Sequence, residues 1–501
     1  MHESVELLEN ALTDPALADR VEMVLRRSAD DTYRAAATDG WVEFTRTAAD
    51  GRYCYDVVAT GGRDPLGRRA VDRVVGHAEE RAAVPIDRRD NAYPHAFDSI
   101  AQFFDGNHAP DLLALHTGAH MSDGHLGQHG SLATVQARAP FIAAGAGVRA
   151  EGLVDRSTRV VDIAPTIAAL LGLDPHPGAV GPTGERRPDG LLARQDGDVD
   201  HDLLDGTVAE HVVVLLLDGC NSNLLLDAVD AGDAPTIAGL VGRGTAYRHG
   251  AFASLPTATL ANHTTAVTGA HPGHSGVLHN TWVDRSTAQV PDLLAMDQMF
   301  WAMRHLDPSV ETLFGALTRS RPTAFSTASF EFCDTGATWS SFAEVRDGAG
   351  GALPELDDIT QIDRGAAERS EAYRFMSRVD HLSVEHTIEA WEQRPGNPLP
   401  ALSWCSLALT DEASHESGPH GELARSAVRD SDARVARVLD AVERAGAIER
   451  TAVLVFADHG MEQCDPTLDR PWSEDLADCG VDHREVGGGL FYVEGVTPTP
   501  R

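Results

Sequence analysis

The sequence predicts an α/β fold built on a doubly wound, mostly parallel sheet, and three observations carry that expectation. Short apolar runs at 212–217, 402–409 and 452–457 are bounded by polar punctuation, the pattern of buried parallel strands. Between them lie helical stretches such as 423–446, where apolar positions recur at steps of three and four. Asp218 with Gly219, and Asp458 with His459, close their apolar runs at the carboxyl ends, where such sheets bind ligands.

The first third of the chain has the same grammar. Residues 41–58 predict a hairpin turning at Asp50-Gly51. "DLLALHT" (111–117) and "APFIAAG" (139–145) predict strands, and 160–173 predicts a helix packed against the sheet. From 174 to 210 Pro, Gly, Asp and Arg dominate, which predicts a linker ahead of the segment 211–501. No internal repeat accounts for the two α/β-like pieces.

Bulk properties narrow the function. A chain of 501 residues, 42% hydrophobic, can bury a sizeable core in one large domain or several. Its 76 acidic residues against 41 basic ones give a formal net charge of −35. Such a field repels polyphosphate backbones and anionic lipid, which argues against nucleic-acid and membrane partners. Every fixed cation is arginine, so Schiff-base and P-loop mechanisms have no lysine to use. The six cysteines form no C-x-x-C, and Cys405 sits in an apolar run as a small core residue. "MHESVELLEN" has no basic and apolar leader pattern, and no apolar run approaches membrane-spanning length; a soluble, cytoplasmic setting is the expectation.

Chemistry-bearing residues gather where the strands of the second half end. Asp218 and Asp458-His459 stand at two of these ends; "LSWCSLALTD" ends at Asp411, with His415 one helical turn beyond. Three carboxylates and two imidazoles thus meet at one sheet edge. Any one strand-end Asp is ordinarily a helix N-cap. Together, unpaired, these acids would raise one another's pKa, a conflict that divalent cations resolve. Mixed Asp/His ligation suits zinc, with manganese or iron as alternatives.

In this order, "LLLDG", "LPTATLANHTTAVTG", "TDEASHESGP" and "ADHGM" resemble the type I phosphodiesterase/nucleotide pyrophosphatase branch of the alkaline phosphatase superfamily. The resemblance is specific over 211–461. It implies a three-layer αβα alkaline-phosphatase-like fold and a threonine nucleophile, matched here by Thr259 of "TLAN", with Ala261 where the family has proline. It also implies an asparagine contacting the transferred phosphoryl oxygen, matched by Asn280, and a structural role for Asn262. In "HPGHSG" the histidine His274 is displaced by one position from the family pattern.

The same resemblance implies two metal sites. One takes Asp218, Asp458, His459 and Thr259; the other takes Asp411, His415 and a further histidine from a late H-G motif followed by a strand. The motif's match, His129 in "GQHGSL", comes early instead; His483 is the alternative after His459. His108, His116, His120 and His125 are nearby rivals, but a Gly-Ser turn and a strand follow His129 alone. The expectation is therefore a circularly permuted chain. Residues 1–173 resemble the C-terminal half of the family domain and 211–501 the N-terminal half, joined by 174–210 into one composite catalytic domain, with a break in the segment "GVTPTPR". If His483 were the ligand, 1–173 would be an accessory domain.

The activity implied is hydrolysis of a small phosphorylated substrate through a phospho- or nucleotidyl-threonine. Phosphonoacetate hydrolysis, phosphomonoester hydrolysis and a non-catalytic metal-binding relative are the competing readings. No C-x-P-x-R or S-x-P-x-R motif supports a sulfatase. Trp282, Phe300 and Trp301 are candidates to stack on a leaving group, with core packing expected for at least one of them.

Overall fold

The computed structural model describes residues 2–67, 93–118, 124–350, 352–392, 398–476 and 479–493. His120 and the end segment "GVTPTPR" lie outside the described residues. The architecture is mixed α/β with a mostly parallel central sheet. Among the described residues that sheet has eight strands, in the order Trp339–Ser340, Ser326–Ser329, Leu402–Leu407, His211–Leu217, Thr451–Phe456, Phe141–Gly145, Gly244–Tyr247 and Gly152–Val154. All neighbours are parallel except around Phe141–Gly145, which runs antiparallel to the strands on both sides.

The pleat explains the continuous apolar runs. Val212, Val214 and Leu216 enter one core cluster and Val213, Leu215 and Leu217 the other, so both faces are covered. Helices Ile163–Leu170, Thr259–Thr268 and Leu313–Ser320 cover the first face. Helices Ser222–Ala231, Pro235–Arg243, Glu371–Trp391 and Glu422–Arg444 cover the second. Cys405 is fully buried there, as its apolar run predicts.

A second, wholly antiparallel sheet has the order His483–Val486, Leu490–Val493, Leu112–His116, Val21–Ala29, Thr32–Ala37, Gly40–Ala49 and Arg52–Gly62. The hairpin expected at Asp50-Gly51 closes with both residues at positive φ, 53° and 72°, as a two-residue turn of that twist requires. The strand within 111–117 belongs to this second sheet, whereas that within 139–145 belongs to the central one. A run of alternating or continuous apolar residues states that a strand exists, not which sheet it joins.

Two further expectations change in detail. The run 402–409 is a strand only to Leu407; helix Leu409–Ser417 takes over, so Asp411 lies in a first helical turn and not at a strand end. Asp380, from helix Glu371–Trp391, accepts from the Ala408 and Leu409 amides and anchors that start. Segment 174–210 has no helix or regular strand, yet Leu192, Leu203 and Ala209 are buried in the central core. Among the described residues no helix is long and apolar enough to cross a membrane.

Candidate active site

Six ligand-type side chains from four places in the chain gather in one cluster, which reaches Thr259 through His459. Asp218 follows strand His211–Leu217 and Asp458 and His459 follow Thr451–Phe456, at the same edge because the two strands pair in parallel. Gly219 has φ 58°, and a Cβ there would sit 2.1 Å from Asp411 Oδ1, so glycine permits the approach of the third carboxylate. Asp411 and His415 share one face of their helix, with His415 Nε2 at 3.4 Å from Asp411 Oδ2. His129 arrives from the first third, its Nε2 3.2 Å from His415 Nε2 and 3.9 Å from Asp411 Oδ1.

His459 Nε2 lies 3.2 Å from Asp458 Oδ2, 3.8 Å from Asp218 Oδ1 and 3.4 Å from Thr259 Oγ1. Two groups of donor atoms compact enough to hold one ion each result: Asp218, Asp458 and His459; and His129, Asp411 and His459, with His415 beside the second. The expected ligands are therefore together, but His459 stands between the two groups. His129 and His459 stack with ring centroids 3.8 Å apart. His483 is not among them: it lies on an antiparallel strand, with Nδ1 against Val481 O at 2.8 Å.

The chemistry of these donors fits divalent cations. Asp218 Oδ1, Asp411 Oδ1 and Asp458 Oδ2 are buried without a hydrogen-bond partner, a costly arrangement for carboxylates alone. Burial, then the Asp458 and Asp411 charges, pushes Asp218 up to about 7; burial also lifts Asp458 to about 6. Asp411 goes the opposite way: burial would raise it, but His415, His129 and His459 together lower it, and the Asp411 pairing raises His415 to about 9 against its own desolvation. Burial lowers both His129 and His459. Each imidazole is oriented from behind by a backbone carbonyl at Nδ1: Thr257 O for His129, Gly127 O for His415 and Gly460 O for His459. This leaves each Nε2 for the site, the usual second layer around metal-bound histidines.

Thr259 is the first residue of helix Thr259–Thr268, with an Ala258 cap that offers no side-chain bond. Asn280 Oδ1 accepts from Leu260 N at 3.0 Å, capping the helix from outside and leaving its NH2 group as a donor. Asn262 is spent on the turn before Thr259, bonding Ser254, Pro256 and Ala258, the structural role expected of it.

Sequence motifs do not point to several of the participants. His263 lies one turn after Thr259, its Nδ1 2.9 Å from Glu331 Oε2 and its Nε2 3.6 Å from Asp218 Oδ2. The four-residue spacing from Thr259 is the signal that could have found it; Glu331, after strand Ser326–Ser329, has none. The displaced His274 is held between Asp105 and Asp196, at 3.1 and 2.6 Å, away from the Thr259 cluster. Of the proposed stacking aromatics, Trp282 is a core residue, 1% exposed; Phe300 packs edge-on against Phe342, and Trp301 under Arg304.

The sequence model for "Type I phosphodiesterase / nucleotide pyrophosphatase" matches residues 212–496, more than half the chain. The chain belongs to this family. No curated protein matches it. Among solved structures it is similar to murine ectonucleotide pyrophosphatase/phosphodiesterase 5 in complex with AMP, at 18% identity over 51% of this chain and 58% of that one, TM-score 0.33. The human enzyme of the same name matches at 16% identity, with the same coverage and TM-score 0.35. Phosphonoacetate hydrolase from Sinorhizobium meliloti, in complex with phosphonoformate, matches at 18% over 50% of this chain and 57% of that one, TM-score 0.33. The chain thus spans less than two thirds of the length of each of these relatives.

Proposed function

We propose that the chain is a two-metal hydrolase of small phosphate esters, acting on phosphodiesters or nucleotide pyrophosphates with Thr259 as nucleophile. The observation that carries this reading is the gathering of Asp218, Asp458, His459, Asp411, His415 and His129 near the buried start of one helix. Bound divalent cations, zinc by the donor set, would neutralise the carboxylates and the phosphoryl oxygens and lower the pKa of the hydroxyl and of water.

The protein's own part follows from position. Thr259 Oγ1, at a helix N-terminus, forms a bond to phosphorus while the bond to the leaving oxygen breaks, giving a phospho- or nucleotidyl-threonine. Asn280, fixed through its carbonyl by Leu260 N, presents its amide NH2 to a non-bridging oxygen where charge accumulates. Water then cleaves the Thr259 ester, and two in-line displacements retain configuration at phosphorus. We also propose that residues 1–173 act as the second half of this catalytic domain, in permuted order. Strand Phe141–Gly145 lying inside the central sheet and His129 reaching Asp411 support that order.

The test is turnover of p-nitrophenyl phosphate, its thymidine-5′ diester and phosphonoacetate with added zinc, for wild type and Thr259→Ala. The diester should be the best of the three, and Thr259→Ala should lose at least about 1,000-fold in kcat, a barrier change of roughly 4 kcal/mol, while keeping its metal and fold. Turnover within tenfold of wild type would remove Thr259 as nucleophile. Phosphonoacetate as the preferred substrate would replace the diesterase reading.

A further inference from the structure

The nucleophile and the last histidine ligand come from segments 130 positions apart, and one buried side chain joins them. Thr257, fully buried, stands two residues before Thr259. Its Oγ1 accepts from Gly130 N at 2.7 Å and donates to Ser131 O at 3.0 Å, so donor and acceptor are both spent on the loop carrying His129. Its carbonyl accepts from His129 Nδ1 at 2.7 Å, which fixes the tautomer and leaves Nε2 for the site. On its other side the same loop bonds the Asp411/His415 helix: Leu126 N donates to His415 O at 2.7 Å, and His415 Nδ1 to Gly127 O at 2.9 Å.

We infer that the Thr257 hydroxyl is a positioning group, clamping the 126–131 loop onto the nucleophile turn so that His129 Nε2 is held against Asp411 and His415. The inference rests on the proposal that His129, Asp411 and His415 hold a metal. A hydroxyl is required and not merely volume. Without it, the part-buried Gly130 amide and the buried Ser131 carbonyl lose their partner, and the loop regains partners only by moving away from Thr257. His129 sits on that loop and moves with it, drawing its ring off the Thr257 carbonyl that orients it. The nucleophile is affected less directly, since Thr259 begins a helix capped independently by Asn280.

The experiment uses the full chain, with Thr257→Val removing the hydroxyl at constant shape, Thr257→Ser keeping it, and His129→Ala as reference. Zinc binding is titrated with a competing chelator, and kcat and KM are measured across free zinc. Thr257→Val should weaken one of two bound zincs by about 10–100-fold, the range for lost second-layer partners, with the other unchanged. Excess zinc should restore most of its kcat with little change in KM. Thr257→Ser should stay within about threefold of wild type, in line with retained hydrogen bonds. A lowered melting temperature with both zinc affinities intact would make Thr257 merely structural and overturn the inference. Should Thr257→Val fold poorly, Thr257→Ala has the same readout without the valine methyl. If His129→Ala itself keeps two zincs, the underlying metal assignment fails. If His129→Ala loses one and Thr257→Val keeps both, only the Thr257 inference fails.

Discussion

Cutting the chain before residue 211 tests whether its two parts form one domain. The fragment 211–501 retains most of the candidate ligands and the whole family match, so an accessory role for 1–210 would leave it folded. The core says otherwise. Ten large apolar side chains in the first sheet-face cluster precede residue 211: Phe141, Val148, Val160, Ile163, Ile167, Leu170, Leu171, Leu173, Leu192 and Leu203. At roughly 1.5–3 kcal/mol each when buried, they represent about 15–30 kcal/mol of burial shared with the surface they cover. Even half of that, roughly 8–15 kcal/mol, matches the entire stability of a typical domain, about 5–15 kcal/mol. Removal of strand Phe141–Gly145 also exposes the edge of Thr451–Phe456 and detaches Gly244–Tyr247 from the sheet. The fragment should therefore aggregate or bind a hydrophobic dye, with weak near-ultraviolet circular dichroism. Adding 1–210 in trans, or rejoining the pieces as 211–501 followed by 1–173, should restore a compact, active protein. A monomeric, cooperatively melting 211–501 with two bound metals and full turnover would refute the composite domain.

The histidine assignment separates by metal content. His129→Ala should lose about one zinc per chain and most activity, as expected when one of three protein ligands is removed from a catalytic site, whereas His483→Ala should change neither in atomic-absorption and turnover assays. The His274 network gives a pH signature: Asp196 and Asp105 outweigh burial and raise His274, with Arg194 acting against them, while the two aspartates are held below their ordinary range. Stability from His274 is thus complete below its unfolded pKa, about 6.5, and is lost as pH rises through the higher folded value. That from the aspartates is present above about 3.9 and lost as pH falls through their lowered values. The melting-temperature advantage of wild type over His274→Gln should accordingly be largest near pH 5–6 and shrink toward pH 9; a constant gap would mean that His274 is uncharged.

Element type was legible wherever burial on both faces enforced a single pattern. His211–Leu217 and Thr451–Phe456 read as strands because every residue is inside, and Glu422–Arg444 as a helix because one stripe is. The misplaced boundary at 407–409 has a specific cause. Ala408 and Leu409 continue the apolar run because Leu409 is itself buried, and the helix start is signalled by Asp380, 28 residues upstream. Nor could local pattern assign 111–117 and 139–145 to different sheets, since both are short runs buried on both sides and only long-range pairing separates them.

The site divides along the same physical line. Most residues that gather at the candidate site were legible, because Asp218, Asp458 and His459 directly follow buried apolar strands and Asp411 and His415 share a helix just beyond a third. Residues that hold these side chains in place were not. Thr257 is a common residue in a turn, and its bonds to His129, Gly130 and Ser131 are ones that its own sequence neighbours cannot indicate. Glu331 is equally silent, though it fixes His263 behind Asp218. Chain order matters for the same reason. Ligand groups keep their identity wherever they fall in the sequence, so His129 could be matched by motif although it precedes Asp411 by 282 positions. The bonds that orient it must be rebuilt across the fold, and in this chain they run from the turn at Thr257, just before Thr259. The proposed permuted order would be tolerable on physical grounds, because residues before and after 211 share a buried core and buried hydrogen bonds, neither of which depends on which part is made first.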